Sequence, residues 1–253
     1  MIADLPTLPE SYRLLRYDTV ASTNDEAKRL AHQGAASGTV IWAIAQTAGR
    51  GRRGRTWVSP PGNLYASLVM RPDCPVARAA QLGFVAALAL GDGLDPLVPP
   101  GLKLRFKWPN DLLADGKKLA GILLESETTA GDIADFVVIG VGVNLASSPR
   151  DVEYAATSLA EEGIAGVLPQ TVLAGFARNF ERWIGIWRRD GFAPVRAAWL
   201  ARANGLGEAV RVRLDRATFH GRFIDLDDAG ALLLESAAGQ RRITAGEIFP
   251  AAG

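Results

Sequence analysis

Gly49-Arg50-Gly51-Arg52-Arg53-Gly54-Arg55 packs four guanidinium groups and three glycines into seven residues. Glycine lets a loop fold tightly and approach a ligand closely, because it lacks Cβ and reaches positive φ cheaply. Arginine adds planar, permanently charged donor forks that fit phosphate and carboxylate oxygens. A β-branched run, Thr39 to Ala45, precedes the loop, and a turn signal, Ser59-Pro60-Pro61-Gly62-Asn63, follows it. Strand, basic loop, turn and next strand is the local reading. The spacing satisfies Gly-x-Gly-x-x-Gly, but a dinucleotide fingerprint must open a helix, and Trp57 to Pro61 cannot continue one. An RG-rich nucleic-acid tract would extend further.

The remaining composition limits the chemistry. Charges sum to +1 over 253 residues, so the basic loop is a local device and not part of a polyanion-binding surface. A single cysteine, Cys74, excludes an intrachain disulfide and fits a reducing compartment. Residues Met1 to Pro6 lack a basic region followed by an apolar core, so no secretory signal is expected. No stretch of about 20 residues is free of charges and helix breakers, and a cytoplasmic protein is the expectation. His32 and His220 stand far apart without clustered cysteines, which argues against structural zinc. Neither a P-loop nor a Gly-x-Ser-x-Gly elbow occurs.

Outward from the loop, Thr23 and Glu26 read as a capping box opening a helix that stops at Gly34. Leu64 to Met70 is a strand, and Ala79 to Leu90 is a buried helix, apolar nearly all round. Leu102, Leu104, Phe106 and Trp108 alternate with Lys103, Arg105 and Lys107, predicting a half-buried strand with a cationic face. Hairpin grammar follows: Leu112 to Ala114, a turn at Asp115-Gly116, Lys118 to Glu125, a turn at Thr129 to Asp132, and Ile133 to Val143. Spacings of three and four from Val172 to Trp187 mark a long amphipathic helix, and Phe192 to Leu200 a short one. Past Asn204-Gly205-Leu206-Gly207 come short alternating segments with turns, a small β-barrel or sandwich. The predicted boundaries are 1–204 and 205–253.

Three further segments turn the loop into a candidate site. Lys107-Trp108-Pro109-Asn110-Asp111 puts a lysine, an amide and a carboxylate at a strand end. Gly116 to Glu125 opens the next strand with Lys117, Lys118 and Gly121. Gly140-Val141-Gly142-Val143-Asn144 places two glycines on one face of a Val/Ile strand, where something flat can lie.

In order and spacing these blocks, with Ser22-Thr23-Asn24, Gln46 and Trp57, resemble the catalytic region of bacterial biotin protein ligases over roughly residues 17 to 146. A weaker likeness continues through Phe192-Ala193-Pro194 and Trp199 to Gly230-Ala231-Leu232-Leu233-Leu234-Glu235. The resemblance implies an α+β fold, a mixed sheet backed by helices with a C-terminal SH3-like barrel. It implies MgATP-dependent activation of biotin to biotinyl-5′-AMP, then transfer to a lysine of a biotin carboxyl carrier protein. Only about 20 residues precede the first motif, so the ligase without the family's N-terminal DNA-binding domain is expected, with no DNA binding. By motif match, Ser22, Thr23 and Gln46 would hold the ureido ring, near Gly121 and Gly142. Arg50, Arg52 and Trp57 would cover the adenylate, and Lys118 would meet the carboxylate and α-phosphate oxygens. Asn110 and Asn144 are candidates for nucleotide contacts, and Asp111 for orienting the incoming lysine or taking its proton. Asn24, Gly49 and Gly140 belong to the matched binding blocks. The resemblance names no Mg²⁺ ligands, and dimerisation stays open. A lipoate–protein ligase shares the implied fold and adenylate logic; the basic loop and Lys107 to Asp111 favour biotin. Ordering seven loop residues at ~1–2 kcal/mol each costs on the order of 10 kcal/mol, so the loop is expected to move until it closes over ligand.

Overall fold

The computed structural model describes residues 5–128, 131–150 and 152–251. Of the expected features, Met1 to Asp4 and the turn residues Thr129 and Ala130 lie outside the described residues. The strands of the larger sheet are β1 (Arg13–Val20), β2 (Thr39–Gln46), β3 (Leu64–Met70), β4 (Leu104–Lys107), β5 (Asp111–Ala114), β6 (Lys117–Thr128) and β7 (Ala134–Val143). They lie in the order β1-β2-β3-β7-β6-β5-β4, with β1 parallel to β2 and every other neighbour antiparallel. Helices α1 (Thr23–His32), α2 (Val76–Ala79), α3 (Leu82–Leu94), α4 (Pro169–Asp190) and α5 (Phe192–Leu200) cover the sheet. The C-terminal strands β8 (Ala209–Arg213), β9 (Thr218–Leu226), β10 (Leu232–Ser236), β11 (Gly239–Ile243) and β12 (Glu247–Pro250) form a separate antiparallel sheet, β11-β10-β9-β8-β12. The architecture is the expected α+β one.

Strand alternation sends the two faces of the main sheet to different partners. Val40, Trp42, Leu68, Val137 and Ile139 join α3, α4 and α5 in the large core. Ile41, Val69, Phe136 and Val138 pack instead against Ala27 and Ala31 of α1. Helix α1 is short and covers only part of its face. Beyond it on β7 the same face continues with Gly140 and Gly142, paired across to Ser67 and Tyr65 of β3 and to Leu123 and Gly121 of β6. The face is apolar under the helix and bare past its N-terminus, which leaves a recess.

Three local expectations are corrected. The α1 cap is Ser22, whose hydroxyl accepts from Asp25 N at 3.4 Å, and not Thr23. Glu26 turns to Arg29 and Tyr17. The Ala79–Leu90 helix is two pieces, α2 and α3, separated at Ala80-Gln81 and running on to Leu94. Backbone angles at Ala80 and Gln81 stay in the right-handed helical region, and the Gln81 amide accepts from Trp187 Nε1 and donates to Asp228 O. Finally, the strand bearing Lys107 has no uniform cationic face: Arg105 is exposed, but Lys107 is buried.

Candidate active site

A cavity of about 410 Å³ opens on the bare part of the sheet face. Its walls come from the α1 N-terminus, the basic loop, the β4–β5 turn, β6, β7, Pro149, the segment 152–156 and β12.

At one end the groups are uncharged and interlocked. Gln46 Oε1 accepts from Thr23 N at 2.8 Å and from Thr23 Oγ1 at 3.1 Å. Gln46 Nε2 donates to Ser59 Oγ at 2.8 Å, tying this end to the foot of the basic loop. The Ser67 hydroxyl lies 2.6 Å from Asn24 Oδ1 and 2.8 Å from Thr23 Oγ1. Asn24 rests on Gly140, where a Cβ would strike its amide. Gly142 and Gly121, direct partners across β7 and β6, form the floor beneath the Trp57 indole. A Cβ on Gly142 would stand 2.6 Å from Trp57 Cε2, and one on Gly121 3.0 Å from Cζ3. The glycine face is therefore shared: Asn24 lies over one residue and Trp57 over the other two. Trp57 Nε1 is buried and has no hydrogen-bond partner among the described residues.

Past the indole the cavity becomes cationic. Lys118 Nζ sits 5.3 Å over the Trp57 ring and 2.7 Å from Asp111 Oδ1. That contact is an ion pair between the ammonium and the carboxylate. Lys107 Nζ stands 3.8 Å from Asp111 Oδ2, with the Tyr154 ring 4.1 Å and the Phe249 ring 5.2 Å away. Burial pushes Lys107 down to about 8, against the pull of Asp111. The ammonium is therefore charged below about pH 8 and loses its proton as pH rises through that value. An alkaline limb near pH 8 is expected in kcat/KM for exchange of labelled pyrophosphate into ATP, because that parameter reports the free enzyme. Lys107→Met, at a reduced rate, should lack this limb; an unchanged profile in the variant would assign it elsewhere.

The loop itself is docked by protein carboxylates. Arg50 reaches Asp25 at 2.5 Å and Glu125 at 2.8 Å, and Lys28 shares both carboxylates. Burial raises the Glu125 carboxyl, but Asn24, Lys28 and Arg50 more than offset it and leave it below its ordinary value. Arg52 turns inward to Asn110 Oδ1 at 3.3 Å and Gly246 O at 3.4 Å. Burial, and then neighbouring Arg53, lower its pKa. Arg53 faces Asp215 at 3.4 Å, and Arg55 pairs with Glu247. Loop composition alone did not reveal this source of order.

Of the site residues expected from sequence, Ser22, Thr23, Asn24, Gln46, Arg50, Arg52, Trp57, Asn110, Asp111, Lys118, Gly121, Gly140, Gly142 and Asn144 all line this cavity. Gly49 does not. It closes the base of the loop by accepting from Trp57 N at 2.9 Å, with Trp57 O and Ser59 Oγ where a Cβ would go. Asn144 spends its amide on Thr157 O at 3.0 Å, fixing the segment after β7. Sequence reasoning passed over Lys107 as a buried cation, and also Glu125, Tyr65, the 152–156 wall, Glu247 and Phe249. Lys107 and Glu125 were legible in their motif blocks; the wall and β12 carried no local signal.

The model of the Biotin/lipoate A/B protein ligase family matches residues 8–201, and that of the Biotin protein ligase C terminal domain matches residues 205–249. The chain belongs to the biotin protein ligase family. Within that family it is 47% identical over 233 residues to the biotin–[acetyl-CoA-carboxylase] ligase of Paracoccus denitrificans, covering 90% of this chain and 96% of that protein. It is 37% identical over 240 residues to the bifunctional ligase/repressor BirA of Bacillus subtilis (strain 168), covering 93% of this chain and 73% of that one. Among solved structures, the biotin protein ligase from Aquifex aeolicus in complex with biotin and ATP superposes with a TM-score of 0.79 at 27% identity, covering 94% of this chain and 97% of that chain.

Proposed function

We propose that this chain activates biotin with ATP to biotinyl-5′-AMP and passes the biotinyl group to a lysine of a biotin carboxyl carrier protein. The observation that carries this reading is the two-ended cavity. Short neutral donors and acceptors on a glycine floor suit a polar, uncharged bicyclic ring. Arg52, Lys107 and Lys118 beyond the indole suit a carboxylate and a phosphate. The family's relatives that carry biotin in their names support the same choice over lipoate.

In the first step a biotin carboxylate oxygen attacks the α-phosphorus and pyrophosphate leaves. Lys118 and Arg52 hold the oxygens on which charge develops, in a pocket shielded by Trp57. In the second step the carrier's uncharged ε-amine attacks the acyl carbon and AMP leaves. Asp111, whose Oδ1 faces Lys118 Nζ at 2.7 Å, orients that amine and accepts its proton. Neither step needs a nucleophile from the enzyme, so catalysis rests on positioning and charge. Ser22, Thr23 and Gln46 hold the ureido ring, and Asn110, Asn144 and the 152–156 wall border the nucleotide. Residues 1–204 carry the chemistry and 205–253 close one side.

Magnesium belongs to the nucleotide in this reading. Among the described residues no group of three His, Cys, Asp or Glu could hold an ion, and Mg²⁺ commonly rides on substrate phosphates. No helix among the described residues is long and apolar enough to cross a membrane, and we place the reaction in the cytoplasm. Repressor activity is not carried over from the Bacillus relative.

Arg52→Ala is expected to speed release of labelled biotinyl-AMP about 10–150-fold, the value of one charge-assisted contact at roughly 1.5–3 kcal/mol. Release at the parental rate would remove Arg52 from the adenylate. The function itself is tested by biotin-dependent pyrophosphate exchange and by transfer of labelled biotin to a carrier domain. Exchange supported by lipoate and not by biotin would overturn it.

A further inference from the structure

The 152–156 wall over the cationic end of the cavity is fastened to the C-terminal sheet by Arg213, a side chain that does not line the cavity and that also holds the Glu247 carboxylate to which the basic loop is paired. Arg213 ends β8. Its guanidinium grips both carboxylate oxygens of Glu153, with Nη2 at 2.7 Å from Oε2. The same Nη2 lies 2.8 Å from Glu247 Oε2. Glu247 in turn takes Arg55 of the basic loop on its other oxygen. The Arg213 guanidinium stands 4.8 Å from the Phe249 ring, which Lys107 approaches at 5.2 Å. Beside Glu153, Tyr154 covers Lys107.

Exposure ranks these contacts. The side chain of Glu153 is 55% exposed, so its pair with Arg213 adds little to overall stability. Glu247 is 9% exposed and holds two guanidinium groups, so its orientation matters more. A bidentate fork onto one carboxylate with a shared bond to a second fixes their relative position, which lysine could not do as well.

Resting on the reading above, we propose that Arg213 is a positioning residue for adenylate retention. It straps the 152–156 wall and, through Glu247, the basic loop to one strand, so that the two walls close together. Ser22, Thr23 and Gln46 lie outside the strap, and biotin alone should not sense it.

The test uses the full chain and labelled biotin. Arg213→Met is expected to raise KM for ATP and shorten the half-life of bound biotinyl-AMP about tenfold, within the span of ordinary coupling energies. The Kd for biotin without nucleotide should change less than about twofold on the same scale. Arg213→Lys should recover part of the retention. Arg55→Met and Glu153→Gln should combine non-multiplicatively in the parent, a result independent of whether Arg213→Met folds. Three results would overturn the strap: parental retention in Arg213→Met, an equal loss of biotin affinity, or simple multiplication of the Arg55 and Glu153 effects. Parental biotin-dependent pyrophosphate exchange is the control. Its absence would instead refute the proposed function.

Discussion

Lys118→Met is expected to lower kcat/KM for biotin-dependent pyrophosphate exchange by about 10²–10³-fold, the usual loss when one preorganised charge-stabilising donor is removed. The register of β5 against β6 shifts between Leu112 and Leu113, so that Ala120 and Lys118 become successive partners and Leu119 is the extra residue. Such a bulge re-aims neighbouring side chains. Here the ammonium ends up between the Trp57 ring and Asp111. The methionine variant keeps most of the stem and removes the charge, so biotin binding without nucleotide should stay near parental. Exchange within fivefold of the parent would show that Arg52 and Lys107 carry the phosphate without it.

The second large effect belongs to the floor. Gly142→Val should weaken biotin binding about 5–150-fold, corresponding to the 1–3 kcal/mol typical of overpacking. A Cβ there would stand 2.6 Å from Trp57 Cε2 and 2.7 Å from Nε1, forcing the indole up into ligand space. Valine suits a central strand, so folding should survive and a binding isotherm can be read. Combining it with Trp57→Ala should return part of the affinity, because the clash partner is gone. Parental affinity in Gly142→Val would place the ring away from this surface.

The glycines at positions 140 and 142 were legible because a two-residue period must put them on one face, and the Val/Ile run around them fixes the strand. The hairpins from β4 to β7 were legible from their turns. Other features were not. Ser22 and Thr23 are equally good caps, and only the tertiary bond from Thr23 to Gln46 decides between them. Alternation put Lys107 on a solvent face because Tyr154 and Phe249, which cover it, lie far along the chain. The carboxylates that answer Arg53 and Arg55 sit in or beside strands of the second sheet, and no local pattern links them to the loop.

The β7 row from Phe136 through Val138 and Gly140 to Gly142 is a wedge, thinning toward the cavity until no side chain remains. Its thin end is already at the lower limit of residue size. Substitution can only make that end shallower, so a relative or variant that admits a bulkier acid must find the room in its roof. Trp57, and not the strand beneath it, is where the tolerance of this enzyme for larger rings would be rewritten.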